Sequence, residues 1–292
     1  MMQCCLSIME TNMNLVMCCT PVGKEDVYQL ELRQALLAAI FFRNSYPNSK
    51  VFVLTTPEAV IPDYYSYLFE VLRFDFRKHP FAIARQLAYK FFLDSNYFES
   101  DTFFTGCDVF FCKPANSITE NSSLAMTYRY HLTQPYCSDL FYVPLIKKDA
   151  GISFLDKIIK RMLWMPLEIQ AGWADQICLA IEIGHLEDHF FNGKEQNSPR
   201  LTDFKLFPGD DYLFTPNDFF SSIQSEHAGA QIKDCTNSHD MLNLFHSKYV
   251  IHFKGARKDL MFIFAKLCDM TGGININYKN IGISRENLFK IY

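Results

Sequence analysis

The sequence predicts an α/β protein with a mixed, mostly parallel central sheet flanked by helices. Short apolar runs typical of buried strands alternate with longer segments of helical period, and this alternation indicates β-α-β units. The composition agrees, because 49% of the 292 residues are hydrophobic and 28 are phenylalanine, enough to bury a large core. No repeat and no linker interrupts the pattern. We therefore expect a tail over residues 1–12 and one domain over residues 13–292.

The first β-α-β unit is predicted near the start of this domain. Residues 13–20 are apolar and are followed by a short loop with a proline and a glycine. Residues 25–44 carry good helix formers, with apolar side chains at helical spacing. Residues 50–55 form a second apolar run. A helix between two such strands favours a parallel sheet that is covered by helices.

The same alternation continues along the chain. We expect strands over residues 69–76, 102–112, 124–130, 140–144 and 249–254. We expect helices over residues 80–94, 152–163 and 173–183. Residues 185–240 are more polar and irregular, and residues 258–292 are expected to pack back onto the domain as helix and strand.

Charge and cysteine patterns exclude several classes of protein. The formal net charge is −4 and the basic residues are scattered, which argues against electrostatic binding of nucleic acid. The 10 cysteines include no C-x-x-C pair, so we expect neither a zinc ribbon nor a disulfide framework. Residues 1–12 do not resemble a signal peptide, and no apolar run is long enough to span a membrane. We expect a cytoplasmic protein, and peripheral membrane contact stays open.

Asp108 is a lone carboxylate within an apolar and aromatic run, TFFTGCDVFFC. A buried ionised carboxylate costs several kcal/mol unless it is paired or binds a metal. Gly106, just before it, lets a ligand approach the backbone closely. Ligands of open α/β sheets bind at the carboxyl ends of the strands, where Asp108 is expected to lie. An aspartate that caps a turn after the strand would also explain this position.

A second candidate follows the late strand and has the pattern H-x-x-G-x-x-K. A neutral imidazole at His252 suits a transition metal, and Gly255 allows the backbone to approach phosphate oxygens. Lys258 provides a point charge for a diphosphate. A solvated basic turn next to a half-buried histidine would also explain the pattern.

Taken together in chain order, the predicted strands and helices and the two candidate motifs resemble those of the nucleotide-diphospho-sugar transferases of the GT-A fold. They are most similar to the retaining family typified by glycogenin and the bacterial galactosyltransferases. In that family a central strand ends in Asp-x-Asp, a later helix carries Asp-Gln, and a late strand ends in H-x-x-G-x-x-K. The corresponding segments here are GCD at residues 106–108, Asp175-Gln176 and residues 252–258. The resemblance covers residues 13–262.

The resemblance implies roles for individual residues. Asp108 falls on the second acid of Asp-x-Asp and His252 on the metal-ligating histidine, which implies Mn²⁺ or Mg²⁺ bridging two phosphates. Asp175 and Gln176 match the catalytic acid and amide that face the donor sugar. The other positions that the resemblance suggests for the base, sugar and phosphates of the donor are Thr20, Tyr28, Arg85, Lys90, Gly106, Gly255 and Lys258.

The chain departs from the family pattern at the first acid of Asp-x-Asp, where it has Gly106. This leaves Asp108 and His252 as the expected protein ligands, with diphosphate oxygens and water completing the shell. Transfer without a metal, in which Lys258 and Arg85 balance the leaving diphosphate, stays open.

The sequence thus predicts transfer of a sugar from a nucleotide-diphospho-sugar, with a UDP-sugar favoured, to an unidentified glycan, lipid or protein. Residues 13–114 would form a nucleotide-binding half, and residues 115–292 an acceptor half in which Asp139 is a candidate acceptor contact. One alternative is an inactive nucleotide-sugar or carbohydrate-binding protein of the same fold, which the loss at Gly106 favours. Another is a sugar nucleotidyltransferase, although the loop at residues 21–24 is short and poor in glycine for that class.

Overall fold

A computed structural model gives the fold, and it describes most of the chain. The described residues are 12–20, 25–76, 78–120, 122–128, 136–170, 174–183, 204–216, 238–254 and 258–290. In these ranges, no helix has the length and apolar character needed to cross a membrane. The seven cysteines that they contain are all free.

The strands follow the predicted order, but the strand expected over residues 102–112 is divided at residues 106–108 into two strands that belong to different sheets. Two further differences concern polar segments. The strands in the described ranges are β1 (Met13–Cys18), β2 (Lys50–Thr55), β3 (Glu70–Arg73), β4 (Asp101–Thr105), β5 (Val109–Phe111), β6 (Leu124–Tyr128), β7 (Tyr136–Val143), β8 (Phe204–Pro208) and β9 (Val250–His252). β7 begins before the predicted residue 140, because its polar residues Ser138 and Asp139 are buried against partners. β8 lies in the segment expected to be irregular; it is a half-exposed strand at the edge of the sheet.

The helices include the long ones expected from the helical period. They are α1 (Glu25–Ser45), α2 (Phe81–Asp94), α3 (Asn116–Thr119), α4 (Lys148–Trp164), α5 (Leu167–Gln170), α6 (Ala174–Glu182), α7 (Gly209–Tyr212), α8 (Ser238–Ser247), α9 (Lys258–Thr271), α10 (Tyr278–Ile281) and α11 (Arg285–Leu288). The strand expected after residue 258 was wrong, since the described residues 258–290 contain helices and no strand. Ile274 and Ile276 alternate like strand residues, but both enter the core from a loop.

The main sheet has seven strands in the order β3-β2-β1-β4-β7-β6-β8. β7 is antiparallel to both of its neighbours, and every other neighbouring pair is parallel. This confirms the predicted mixed, mostly parallel sheet, and strands from both predicted halves share it. β5 and β9 form a separate antiparallel pair in which Val109 lies opposite His252.

Hydrophobic residues fill both sides of the main sheet. Along β1, Leu15 and Met17 face one core, whereas Val16 and Cys18 face the other, as the two-residue period of a strand requires. The first core includes residues of α1, α9 and the β5–β9 pair, and the second includes residues of α2, α4 and α6. The sheet is therefore covered on both faces, and its strand ends remain available for a site.

Candidate active site

Asp108 and His252 come together where the main sheet meets the β5–β9 pair. β4 ends at Thr105, the chain turns through residues 106–108, and β5 then pairs with β9. The backbone N–H of Phe253 donates to the carbonyl of Asp108 at 2.9 Å, which fixes the turn against β9. The His252 Nε2 atom lies 3.5 Å from Asp108 Oδ1. Two residues that are far apart in sequence thus share one site at the end of parallel strand β4.

The neighbouring strand β7 adds Asp139 and Cys137 to this site. Asp139 Oδ2 lies 3.7 Å from His252 Nε2, and the Cys137 thiol donates to the same carboxylate oxygen at 3.3 Å. One donor atom from each of these three residues lies within 4.8 Å of the others, and all three residues are buried. Imidazole, carboxylate and thiol groups at this spacing can ligate a divalent metal ion.

Arg85 of α2 connects this cluster to Asp175 of α6. Its Nη1 binds Asp139 Oδ1 at 2.5 Å, and its Nη2 binds Asp175 Oδ2 at 2.5 Å. Ser138 accepts a hydrogen bond from Nη2 at 2.6 Å and donates one to Asp175 at 2.5 Å. A guanidinium between two buried carboxylates offsets the cost of removing all three charges from water. Arg85 thereby fixes the position of two acids from different elements.

His252, Asp108 and Asp139 lie close together, and their charges shift one another's pKa values. Burial lowers the pKa of His252, but the carboxylates of Asp108 and Asp139 outweigh it and raise the pKa to about 10. Burial acts to raise the pKa of Asp108, and His252 more than offsets this, so that the pKa lies below its usual range. Arg85 and His252 likewise outweigh burial at Asp139 and hold its pKa well below that range. Both carboxylates are therefore ionised at neutral pH, and His252 is protonated there unless a bound cation displaces its proton.

A cavity of about 180 Å³ opens beside these groups. Asp108, Asp139, His252, Arg85 and Lys258 line it. Two residues of α1, Glu31 and Gln34, line it as well. Neither residue was predicted from the sequence, because both lie among the apolar residues of a predicted helix and belong to no motif.

The structure locates the other predicted residues as follows. Thr20 and Tyr28 are buried and, within the described ranges, are not among the residues that line the cavity. The Tyr28 side chain is 2% exposed in the core, so its predicted stacking on a base stays a prediction. Lys90 forms ion pairs with Asp94 and Asp156.

The remaining predictions concern Gly106, Gly255 and the two catalytic candidates. Gly106 lies against the Asp108 carboxylate in the lining of the cavity. Asp175 and Gln176 are buried at the start of α6, and Arg85 links Asp175 to the cavity. Gly255 lies outside the described residues. The roles assigned to these residues from the sequence stay predictions.

Comparison with known proteins identifies the fold. No protein-family model and no curated protein sequence matches the chain. The galactosyltransferase LgtC, in complex with donor and acceptor sugar analogues, superposes with a TM-score of 0.53 at 10% identity, over 92% of this chain and 99% of LgtC. An active-site mutant of LgtC gives the same values. The bifunctional glycosyltransferase WbbM gives a TM-score of 0.51 at 8% identity, over 96% of this chain and 51% of WbbM, so the chain spans about half of WbbM.

These likenesses confirm the GT-A glycosyltransferase fold that the sequence motifs predicted. The order of strands and helices is therefore that of a fold that glycosyltransferases use. Activity depends on the site rather than on the fold.

Proposed function

We propose that this protein transfers a sugar from a nucleotide-diphospho-sugar, a UDP-sugar above all, to an acceptor. One observation carries the proposal: Asp108, His252 and Lys258, from three separate elements, line one cavity at the end of a parallel strand. This combination of a carboxylate, an imidazole and an ammonium group suits a diphosphate and a divalent cation. The GT-A fold supports the proposal, because it is the fold of the structurally similar transferases.

Departure of the nucleoside diphosphate requires stabilisation of the negative charge that develops on it. Lys258 is the first residue of the 14-residue helix α9, so its ammonium group and the positive end of the helix dipole act at the same place. Asp108 and His252 would hold Mn²⁺ or Mg²⁺, and such an ion supplies further electrostatic stabilisation to the leaving group when bound. Lys258 and the helix end act on the diphosphate directly.

Asp175 is the proposed acid at the reaction centre, with Gln176 beside it. Arg85 and Ser138 hold one oxygen of the Asp175 carboxylate, and the backbone N–H of Gln176 donates to the other at 2.9 Å. A carboxylate fixed in this way can stabilise positive charge on the sugar ring during transfer. Arg85 is thus proposed to position Asp175 and to contact the donor from the cavity wall.

A non-catalytic nucleotide-sugar-binding protein is the second candidate. Two observations favour it: the pattern lacks an acid at Gly106, and Asp175 is engaged by Arg85 and Ser138. A thermal-shift screen of nucleotide-sugars with and without Mn²⁺, followed by an assay of sugar release, separates the two candidates. Stabilisation together with turnover supports the transferase, whereas stabilisation without turnover supports the binding protein.

Asp108→Asn tests the transferase proposal directly. The substitution keeps the size of the side chain but removes the negative charge, so we expect UDP-sugar hydrolysis to fall by roughly 100-fold or more. Asp63→Asn, at an exposed position of a short helical turn, is the matched control and should keep the wild-type rate. The proposal fails if no nucleotide-sugar stabilises the wild-type protein, or if Asp108→Asn turns over at the wild-type rate.

A further inference from the structure

Gly106 has no side chain, and the Asp139 carboxylate of β7 lies next to the space that a side chain would occupy. A Cβ atom at position 106 would lie 2.6 Å from Asp108 Oδ1 and 3.5 Å from Asp139 Oδ1. Van der Waals contact with carbon requires a greater separation than the first of these distances. A side chain at this position would therefore displace the Asp108 carboxylate and approach that of Asp139.

The register of the sheet explains why Asp139 lies there. β4 and β7 are antiparallel, and Thr105 lies opposite Leu140. β4 ends at Thr105, and the same register continued by one residue would place residue 106 beside residue 139. Side chains at directly opposite positions of an antiparallel pair are close neighbours. A carboxylate at position 139 therefore reaches the region that a side chain at position 106 would enter, but from the other strand.

We infer that Asp139 supplies the cation with the carboxylate that position 106 lacks, so that Asp108, Asp139 and His252 form the ligand set with Cys137 as a fourth donor. The inference rests on the proposed function for the role of the cation, which is to bind the donor diphosphate. It changes the expected role of Asp139 from acceptor contact to metal ligand. The carboxylate from β7 lies at van der Waals distance from the position that a Cβ atom at residue 106 would take.

The two oxygens of Asp139 have different partners, as this role requires. Oδ1 binds Arg85 at 2.5 Å, which fixes the orientation of the carboxylate. Oδ2 faces the other donor atoms, 3.7 Å from His252 Nε2 and 3.3 Å from the Cys137 thiol. Arg85 therefore positions one oxygen, and the other remains directed at the site. Hydrogen bonds of this kind to a ligating carboxylate orient it for the metal.

Gln34 provides independent evidence that the cavity accepts a polar ligand. Its side chain is fully buried and lines the same cavity, and neither its amide nitrogen nor its amide oxygen has a hydrogen-bond partner among the described residues. Buried amides are almost always hydrogen-bonded, so an unpaired one beside a cavity indicates a bound polar group. The cation with its phosphate or water ligands is such a group.

The donor atoms also indicate the class of cation. Mg²⁺ prefers an all-oxygen shell, whereas Mn²⁺ also accepts an imidazole ligand, and imidazole and thiolate ligands favour Co²⁺ and Zn²⁺ over both. Cys137 and His252 bring sulfur and nitrogen to the site. We therefore expect Mn²⁺ and Co²⁺ to bind more tightly than Mg²⁺.

Asp139→Asn tests the inference, with Asp175→Asn as the matched control. Both acids are buried and both bind Arg85, but only Asp139 lies within the ligand cluster. Binding of Mn²⁺ alone is measured by the electron paramagnetic resonance of the free ion, after circular dichroism shows that the variants are folded. We expect Asp139→Asn to weaken Mn²⁺ binding by about tenfold or more, and Asp175→Asn by less than about threefold.

Co²⁺ provides a second measurement that leaves Asp139 intact. The wild-type Co²⁺ complex is expected to show a thiolate-to-cobalt charge-transfer band, and Cys137→Ser is expected to lose it. This result supports the assignment of the β7 residues even if Asp139→Asn does not fold. Absence of the band from the wild-type complex overturns the assignment of Cys137.

The outcomes separate this inference from the proposed function. Equal Mn²⁺ affinity of Asp139→Asn and the wild type overturns the inference, and UDP-sugar turnover by the wild type would still support the transferase. A wild-type protein that binds no cation also overturns it, and turnover in the presence of a chelator would then show metal-independent transfer. Mn²⁺ binding that depends on Asp139, without any binding of nucleotide-sugars, supports the cation site and contradicts the proposed function.

Discussion

Buried charged side chains in this molecule are held by partners of opposite charge. Arg85 binds two carboxylates beside the cavity, and Arg161 forms a second buried ion pair with Glu182. Pairing is required because an isolated charge loses several kcal/mol of hydration on burial. Glu31 differs, because burial raises its pKa to about 7. The charge of Lys258 acts to lower this pKa, and the charge of Asp108 acts to raise it. It is therefore the acid in this site whose charge changes near neutral pH.

Glu31 should make the stability of the protein depend on pH. Because its pKa in the folded protein is about 7 and its ordinary value is 4.5, the folded state binds the proton more tightly. The contribution of Glu31 to stability is thus complete below pH 4.5 and is lost as the pH rises to about 7. We expect the wild type to lose roughly 3 kcal/mol relative to Glu31→Gln across this range, measured by urea unfolding.

The control for this prediction is Glu99→Gln, which removes an exposed carboxylate. Its stability relative to the wild type should change little across the same pH range, because exposed charges contribute little to stability. A constant difference between Glu31→Gln and the wild type at all pH values would contradict the pKa shift of Glu31.

At the scale of secondary-structure elements, close packing fixes the positions of the strands that carry the site. α4 packs against β7 and α2 at Gly151, where a Cβ atom would lie 3.0 Å from Val143 Cγ1 and 3.2 Å from Leu93 Cδ1. Glycine allows the helix to approach the sheet closely here, because a larger side chain would press on Val143 and Leu93. Since β7 also carries Asp139, this contact supports the site from behind.

Gly151→Val should destabilise the protein by overpacking this contact. Valine has a higher helix propensity than glycine, so any loss of stability must come from packing. We expect a decrease of about 1–3 kcal/mol in the free energy of unfolding, measured with urea. Ser153→Val places the same residue on the exposed face of α4 and should change stability by about 0.5 kcal/mol or less. Equal effects of the two substitutions would contradict the packing argument.

At the scale of the whole molecule, aromatic side chains join the β5–β9 pair to the helices that cover the main sheet. Phe110 of β5 stacks on Phe41 of α1 with ring centroids 4.0 Å apart. It also contacts Phe253, which follows β9, and Phe264 of α9. These contacts explain part of the high phenylalanine content. They also hold the β5–β9 pair, and with it Asp108 and His252, in a fixed position.

Phe110→Ala should lower stability by creating a cavity at this junction. We expect a loss of about 3–5 kcal/mol in the free energy of unfolding, because the ring is fully buried. Met270→Ala, on the exposed side of α9, should cost about 0.5 kcal/mol or less. Chemical denaturation of both variants measures the difference. A loss below about 1 kcal/mol for Phe110→Ala would show that the ring does not support the junction.

The sequence by itself determined the order of the main strands and long helices, because hydrophobic periodicity reports which faces of each element are buried. It also indicated Asp108 and His252 as candidates, because a charged or metal-ligating residue is uncommon next to a buried strand. It missed the first residues of β7, because the partners that bury Ser138 and Asp139 come from distant segments. Local patterns carry no information about such partners.

Only the tertiary structure decided which residues meet. Asp139 lies near Gly106 because β7 inserts beside β4, although many residues separate the two strands in the chain. Glu31 and Gln34 of α1 line the same cavity as residues from β7 and α9. Strand order and register depend on long-range packing, which the periodicity of a single segment does not specify. The sequence therefore indicated a motif that lacks an acid at Gly106, and the fold showed that the Asp139 carboxylate lies next to this position.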